Sequence, residues 1–321
     1  MAKKAAAGRF QLGTGATDER KGVSKYLAPE VINKIEKLKL DARFVVEGFK
    51  SGSHRSPYHG FSVEFAQHRE YVPGDDVKHV DWKVYFKSGR LMVKQYEEET
   101  NFVCNILHDS SESMKYTSSG KMTKLEYANF LTSSLAYLIV GQQDSVGVGI
   151  FTDELVDYLS PKQSQMHVHN ISRKLEDIES KDKTDIAKIM KDFSDRMSRR
   201  GLVVIISDLL VDAKQFSDGL NRLRSRRHEI IVFQTLDHYE LTFPFDGMVR
   251  FKGLEGYTED LLCQPRMLRQ AYLEALAEHQ LEIRKACERN NVDLRVIDTQ
   301  DPLEVALQSY LIWRLMRTRA R

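Results

Sequence analysis

The chain has 321 residues, with 48 Lys and Arg against 46 Asp and Glu and a net charge of +2. That balance excludes a strong overall field for nucleic acid or a membrane surface, so any such contact has to come from a local patch. At 41% hydrophobic and 29% charged residues, the composition is that of a globular protein with a sizeable core.

Residues 1–25 carry Lys3 and Lys4 followed by alanines and glycines. This stretch lacks the apolar core of a secretory signal and reads as a disordered tail. No apolar run reaches the ~18 residues of a membrane span. The best candidate, Leu131 to Val140, runs into Gln142, Gln143 and Asp144. Cys104, Cys263 and Cys287 form no CxxC spacing, which fits a reducing compartment. The expected location is the cytoplasm.

Residues 26–99 read as a small unit of their own. Val31, Ile32, Ile35, Leu38 and Leu40 are spaced for one face of a helix. An aromatic, His- and Gly-rich region follows, with turn signals at Gly52, Pro57, Gly60 and Pro73-Gly74, and Arg90–Tyr96 reads as a strand. The expectation is a helix plus a β-rich module in which Trp82 packs and Arg69 pairs with Asp75 or Asp81. His54, His59, His68 and His79 lie close in sequence but match no common zinc spacing. A docking surface is the alternative role for this module.

From residue 100 to 321 the pattern is an alternation of strands and helices, the mark of a mainly parallel α/β sheet with helices on both faces. Expected strands are Phe102–Leu107, Val146–Phe151 with Leu155–Leu159 as a hairpin, Leu202–Ile206, Glu229–Thr235 and Asp293–Ile297. Expected helices are Lys124–Val140, Val168–Ile178, Thr184–Met197, Ala213–Arg224, Arg266–Asn290 and Pro302–Arg317, with a small β insertion at Thr242–Phe251.

The stretch Asp109-Ser110-Ser111-Glu112-Ser113 lies between the first of these strands and its helix. A carboxylate and two hydroxyls at every second position can turn toward one point, which suits a hard divalent ion. The carboxyl ends of strands are also where open α/β sheets bind ligands. Asp208, at the end of another strand, and Thr184, opening a helix, would complete the set. The pattern is that of a metal-ion-dependent adhesion site made by Asp109, Ser111, Ser113, Thr184 and Asp208, with Mg²⁺ as the expected ion and Mn²⁺ or Ca²⁺ as alternatives. The competing reading makes Asp109 a turn residue and Ser111 or Ser113 a helix cap.

Other chemistries fit less well. There is no GxGxxG, P-loop or GxSxG, and Gly147 and Gly149 alternate within a strand. A metal-assisted hydrolase would need a general base, for which Glu112 is the nearby choice. Nucleic-acid binding would fall to Arg222, Arg224, Arg226 and Arg227, or to Arg314, Arg317, Arg319 and Arg321, runs without interleaved aromatics.

Several segments together resemble a bacterial and archaeal family known as domain of unknown function fifty-eight. They are FVVEGFKSGSHRSPYHG, GFSVEFAQHREYVPGDDVKHVDWKVYFKSGRLMVKQYEEE, HDSSESM, QQDSVGVGIF, RRGLVVIISDLL and DTQDPLEVALQSYLIWR, spanning about Phe44 to Arg314. The resemblance implies a von Willebrand factor A-like sheet of five parallel strands and one antiparallel edge strand. It implies the metal site just described, and a role without enzymatic activity as adaptor or chaperone-like partner of a MoxR-type AAA+ ATPase. A client Asp or Glu would complete the metal's coordination. Two departures from the pattern are Glu112, where a small residue is usual, and Lys183, which precedes Thr184 in place of the frequent glycine.

Overall fold

The apolar runs that begin at Val103 build the sheet that their alternation with helices predicts. The computed structural model describes residues 24–32, 63–72, 80–98, 103–141, 143–177, 186–251 and 261–304. The chain divides into two compact units, one spanning Lys50–Phe102 and the other comprising Met1–Phe49 and Val103–Arg321.

In the smaller unit β1 (Val63–Glu70) pairs antiparallel with β2 (Met92–Glu98), with an irregularity between Phe65 and Gln67. Between them lies a helix not expected from the sequence, α1 (Trp82–Ser88). Asp81 caps it by accepting the Lys83 and Val84 N–H groups at 2.9 and 3.3 Å. Gly89 ends it at φ 69°, a left-handed conformation that glycine adopts without penalty. Trp82 does not pack as expected: it is 48% exposed, and among the described residues its ring contact is an edge-to-face one with Tyr85. The side chains of Arg69, Asp75, His54, His59, His68 and His79 lie outside the described residues.

The larger unit contains β3 (Val103–Asp109), α2 (Lys124–Gly141), β4 (Ser145–Phe151), β5 (Leu155–Lys162), α3 (Gln165–Glu176) and α4 (Ile186–Arg196). It continues with β6 (Leu202–Ser207), α5 (Ala213–Ser225), β7 (Glu229–Leu236), α6 (His238–Thr242), β8 (Val249–Phe251) and β9 (Leu261–Cys263). The last two described elements are α7 (Pro265–Arg289) and β10 (Asp293–Asp298). Six strands form one sheet in the order β10-β7-β6-β3-β4-β5. All neighbours are parallel except β4 and β5, whose antiparallel pairing is the expected hairpin. Five parallel strands with one antiparallel edge strand is the von Willebrand factor A-like arrangement.

Burial explains the pattern of the strands. Every residue of β3 and β6 is buried, because helices cover both faces. On one face Leu107, Val203, Ile205 and Val232 meet Ile189, Met190 and Phe193 of α4 and Phe216 and Leu220 of α5. Gly149 of β4 is required by this packing, since a Cβ there would lie 2.5 Å from the Phe193 ring. The Thr242–Phe251 detour contributes α6 and β8, which pairs antiparallel with β9. Upstream, Ser24 and Lys25 are ordered against α3. The Ser24 hydroxyl donates to Glu176 at 2.6 Å, and the Tyr26 hydroxyl accepts from Asn129 of α2 at 2.9 Å. The expected helix Pro302–Arg317 lies almost wholly outside the described residues. Among the described residues no helix is long and apolar enough to cross a membrane.

Candidate metal centre

The parallel pairing of β3 with β6 brings their carboxyl ends side by side, with His108 in register with Ile206. The next residues, Asp109 and Ser207, therefore meet at the sheet edge. The Ser207 hydroxyl donates to Asp109 Oδ2 at 2.5 Å, and the Ser111 N–H donates to Asp109 Oδ1 at 2.8 Å. Asp109 is 2% exposed. Burial pushes its carboxyl up, the charge of Asp208 pushes it further, and the Ser207 and Ser111 bonds only partly offset this.

Ser111 stands at the N-cap position of the short 3-10 turn Glu112–Lys115 but makes no capping bond with its side chain. Instead Ser111 Oγ and Ser113 Oγ lie 3.1 Å apart. Ser111 therefore does not cap this turn with its side chain; its hydroxyl lies beside the Asp109 carboxylate and that of Ser113 beside Ser111, while the Asp109–Ser111 N–H bond is the turn contact of the competing reading. Glu112 turns to Lys115 at 2.9 Å.

After β6, Leu209 adopts φ 55° with its side chain fully buried. A left-handed leucine is strained, and burial in the core holds it there. Its N–H donates to Ser207 Oγ at 2.9 Å, and the Leu210 N–H donates to Asp208 Oδ1 at 3.2 Å. Gln234 of β7 donates from Nε2 to the Asp208 carbonyl at 3.0 Å. The loop is thus pinned at several points around a carboxylate that is 2% exposed.

The sequence reading missed one residue of this centre. Lys124, the first residue of α2, is 0% exposed and reaches Asp208 Oδ2 at 2.9 Å and Glu240 Oε1 at 2.8 Å. Its Nζ also lies 5.9 Å from the centre of the Tyr116 ring. Burial alone would lower the ammonium, but Asp208 and Glu240 outweigh that and hold it above its ordinary value. Glu240 is itself pushed up, because burial outweighs the pull of Lys124. Glu240 belongs to a capping box on α6 in which Asp237 accepts the Tyr239 N–H and Glu240 accepts the Asp237 N–H. Asp237 Oδ2 also accepts the Ser118 N–H at 3.0 Å. Two signals pointed to this cluster: the D-x-x-E spacing of a capping box, and a lysine on the stripe Lys124, Tyr127, Ala128, Leu131, all buried.

Of the five residues expected to hold the metal, the structure brings together Asp109, Ser111 and Ser113 on one loop. It places Asp208 on the loop of the neighbouring strand. Thr184 lies outside the described residues. Among the described residues no three His, Cys, Asp or Glu side chains group to hold a metal. The donors available are therefore two carboxylates and hydroxyls.

A family model described as protein of unknown function DUF58 matches residues 67–282. The chain belongs to this family. An uncharacterized protein from Mycobacterium tuberculosis is 23% identical over 261 residues, covering 79% of this chain and 80% of the relative. Among solved structures, the conserved hypothetical protein BatB from Bacteroides thetaiotaomicron aligns with TM-score 0.43 at 14% identity, covering 68% of this chain and 100% of that one. An aerotolerance-related membrane protein from Bacteroides fragilis aligns with TM-score 0.42 at 16% identity, covering 66% of this chain and 99% of that one.

In this DUF58 chain the residues at the sheet edge fit a hard divalent cation. The donors are all oxygens, and two carboxylates are buried close enough for one to raise the other. Among the described residues Lys124 is the cation paired with Asp208 and Glu240, and none is paired with Asp109.

Proposed function

We propose that the chain is a Mg²⁺-dependent protein-interaction module that works as an adaptor, without enzymatic activity, for a MoxR-type AAA+ ATPase. Asp109 and Asp208 would set the charge at the ion, and Ser111 and Ser113, with Thr184 from its loop, would supply neutral oxygens. The bound ion would offer a partner's Asp or Glu an electrophilic point of attachment, with Mn²⁺ or Ca²⁺ as possible substitutes for Mg²⁺. An ATP-driven partner would place the module on the cytoplasmic side.

One observation carries this reading: Asp109 is buried beside a second carboxylate and, among the described residues, has only neutral hydrogen-bond donors. Such an arrangement is unfavourable as a purely structural feature and favourable as a cation site. The hydrolase alternative has less support, because its candidate base Glu112 is engaged with Lys115. The MoxR partnership rests on the family resemblance.

Thermal unfolding of the wild type and Asp109→Asn, in EDTA and across a Mg²⁺ titration, tests the site. At about 100 times its dissociation constant the ion stabilises the native state by ~2.7 kcal/mol, a rise of several degrees in Tm. The expected result is a saturable rise in the wild type that is absent in the variant. Equal behaviour of the two proteins would sink the proposal. Mg²⁺-dependent capture of a purified MoxR-type ATPase, lost in the same variant, tests the partnership separately.

A further inference from the structure

We propose that Lys124 is a tethered counter-cation of the metal centre: it neutralises Asp208 in the metal-free protein, and a divalent ion must compete with it for that carboxylate. The inference rests on the metal-site reading and goes beyond it by naming what opposes the ion.

The first argument is placement. Lys124 touches the continuations of three neighbouring strands. After β3, its main-chain N–H donates to the Tyr116 carbonyl at 3.1 Å and its ammonium faces the Tyr116 ring. After β6 it holds Asp208, and after β7 it holds Glu240. The ammonium has no exposure to solvent, so its charge is felt by these groups with little screening.

The second argument is residue type. Joining three loops does not require charge. A well-packed apolar side chain of similar volume usually stabilises a buried site as well as an ion pair does. The neighbouring positions on the same stripe, Tyr127, Ala128 and Leu131, are filled in that way. A lysine here makes sense when its charge has work to do. That work is visible in the contrast between the two carboxylates, since Lys124 contacts Asp208 while Asp109, among the described residues, has the Ser111 N–H and the Ser111 and Ser207 hydroxyls but no cation.

The third argument is the second anchor. If Asp208 turns toward an entering ion, Glu240 remains 2.8 Å from the ammonium and keeps it paired inside the protein. Glu240 is fixed in turn by its bond to the Asp237 N–H. The carboxylate can therefore be handed over without stranding a buried charge. The same geometry makes metal occupancy tunable, because each charge in the triad shifts the balance in a known direction.

Purified full-length wild type, Lys124→Met and Glu240→Gln should be compared by isothermal titration with Mn²⁺, and by thermal unfolding in EDTA and in saturating Mg²⁺. Lys124→Met keeps most of the apolar stem but removes the competitor. It is expected to bind Mn²⁺ at least tenfold more tightly, to unfold several degrees lower in EDTA, and to recover most of that loss in Mg²⁺. Glu240→Gln preserves the capping geometry but leaves the ammonium to Asp208 alone, and is expected to bind Mn²⁺ several-fold more weakly. Opposite shifts in affinity are the signature, since a merely structural clasp would weaken binding in both variants alike.

Parallel weakening, or an unchanged affinity in Lys124→Met with normal binding in the wild type, would overturn the role of Lys124 and leave the metal site standing. If Lys124→Met does not fold, Lys124→Gln takes its place: tighter Mn²⁺ binding is expected, and weaker or unchanged binding would overturn the role of Lys124. Saturable Mn²⁺ binding by Lys124→Met alone would mean that the lysine already fills the wild-type site. Folded proteins that all bind no Mn²⁺ would overturn the metal reading and this inference together.

Discussion

The loops after β3 and β6 end adjacent parallel strands, and each buries one aspartate at the same edge of the sheet. The two carboxylates are nevertheless stabilised differently. Asp208 faces the Lys124 ammonium in a charge-assisted contact at 2.9 Å. Asp109 has hydrogen bonds from Ser111 and Ser207 but, among the described residues, no cation of its own, and it is pushed up by burial and by Asp208. One loop is electrostatically complete in the metal-free protein. The other has no cation among the described residues, and this difference is what the proposed binding site rests on.

The sharpest way to break this comparison is to make the same substitution in both loops. Asp208→Asn in EDTA removes half of a buried ion pair and is expected to cost about 3–5 kcal/mol, read as a fall in Tm on the order of 10 °C. Asp109→Asn under the same conditions removes a charge that lacks a partner, and is expected to leave stability unchanged or raise it by about 1 kcal/mol. Equal losses would show that the two carboxylates are equivalent and that Lys124 does not distinguish them.

Smaller effects should follow pH, and the two residues at the end of β3 should respond in opposite senses. His108 is fully buried with Nδ1 2.8 Å from Thr132 Oγ1, and burial pushes its pKa down to about 3. Below about pH 6.5 the unfolded chain takes up a proton that the folded chain refuses. Stability from this residue is therefore lost as pH falls, by up to about 1.4 kcal/mol per unit between 6.5 and 3. Asp109 behaves in reverse. Its folded pKa is raised to about 7, so its contribution is present at acid pH and is lost as pH rises toward that value. Urea unfolding of wild type, His108→Leu and Asp109→Asn from pH 4 to 8, without metal, separates the two. The difference curves against wild type should slope in opposite directions, and parallel curves would contradict the environments assigned here.

Much of this contrast was legible in the sequence. The runs of Val, Ile and Leu separated by amphipathic stretches marked the sheet, and the serines and aspartates closing two of those runs marked the edge where Asp109 and Asp208 meet. Both signals are local: a buried strand must be apolar, and a short-range constellation of oxygens is written in consecutive residues. The misses have a different origin. Lys124 reads as an ordinary helix-opening lysine, because its partners Asp208 and Glu240 are 84 and 116 residues away. Helix α1 was hidden because Trp82, Val84, Tyr85 and Phe86 are residue types that also suit strands, while its cap at Asp81 decides the matter. What the sequence conceals is pairing across distant loops, and that is where this site obtains its electrostatics.

The smallest expected effect concerns Glu112, the third carboxylate of the loop after β3. It differs from Asp109 in being partly solvent-exposed, with a side-chain exposure of 25%, and in pairing with Lys115 three residues on. Exposed pairs of this kind contribute little, so Glu112→Ala should change stability by less than about 0.5 kcal/mol. If the site binds rather than catalyses, the same variant should keep its Mg²⁺-dependent rise in Tm and its capture of the ATPase. A metal-assisted hydrolase would behave otherwise, since loss of its general base would abolish turnover on a phosphoester or peptide while leaving the ion in place. Measuring unfolding and hydrolysis on one preparation of wild type and Glu112→Ala therefore places Glu112 with Lys115 at the rim, or moves it to the ion. A wild-type turnover that vanishes in the variant is the result that would erase the distinction drawn between this carboxylate and Asp109.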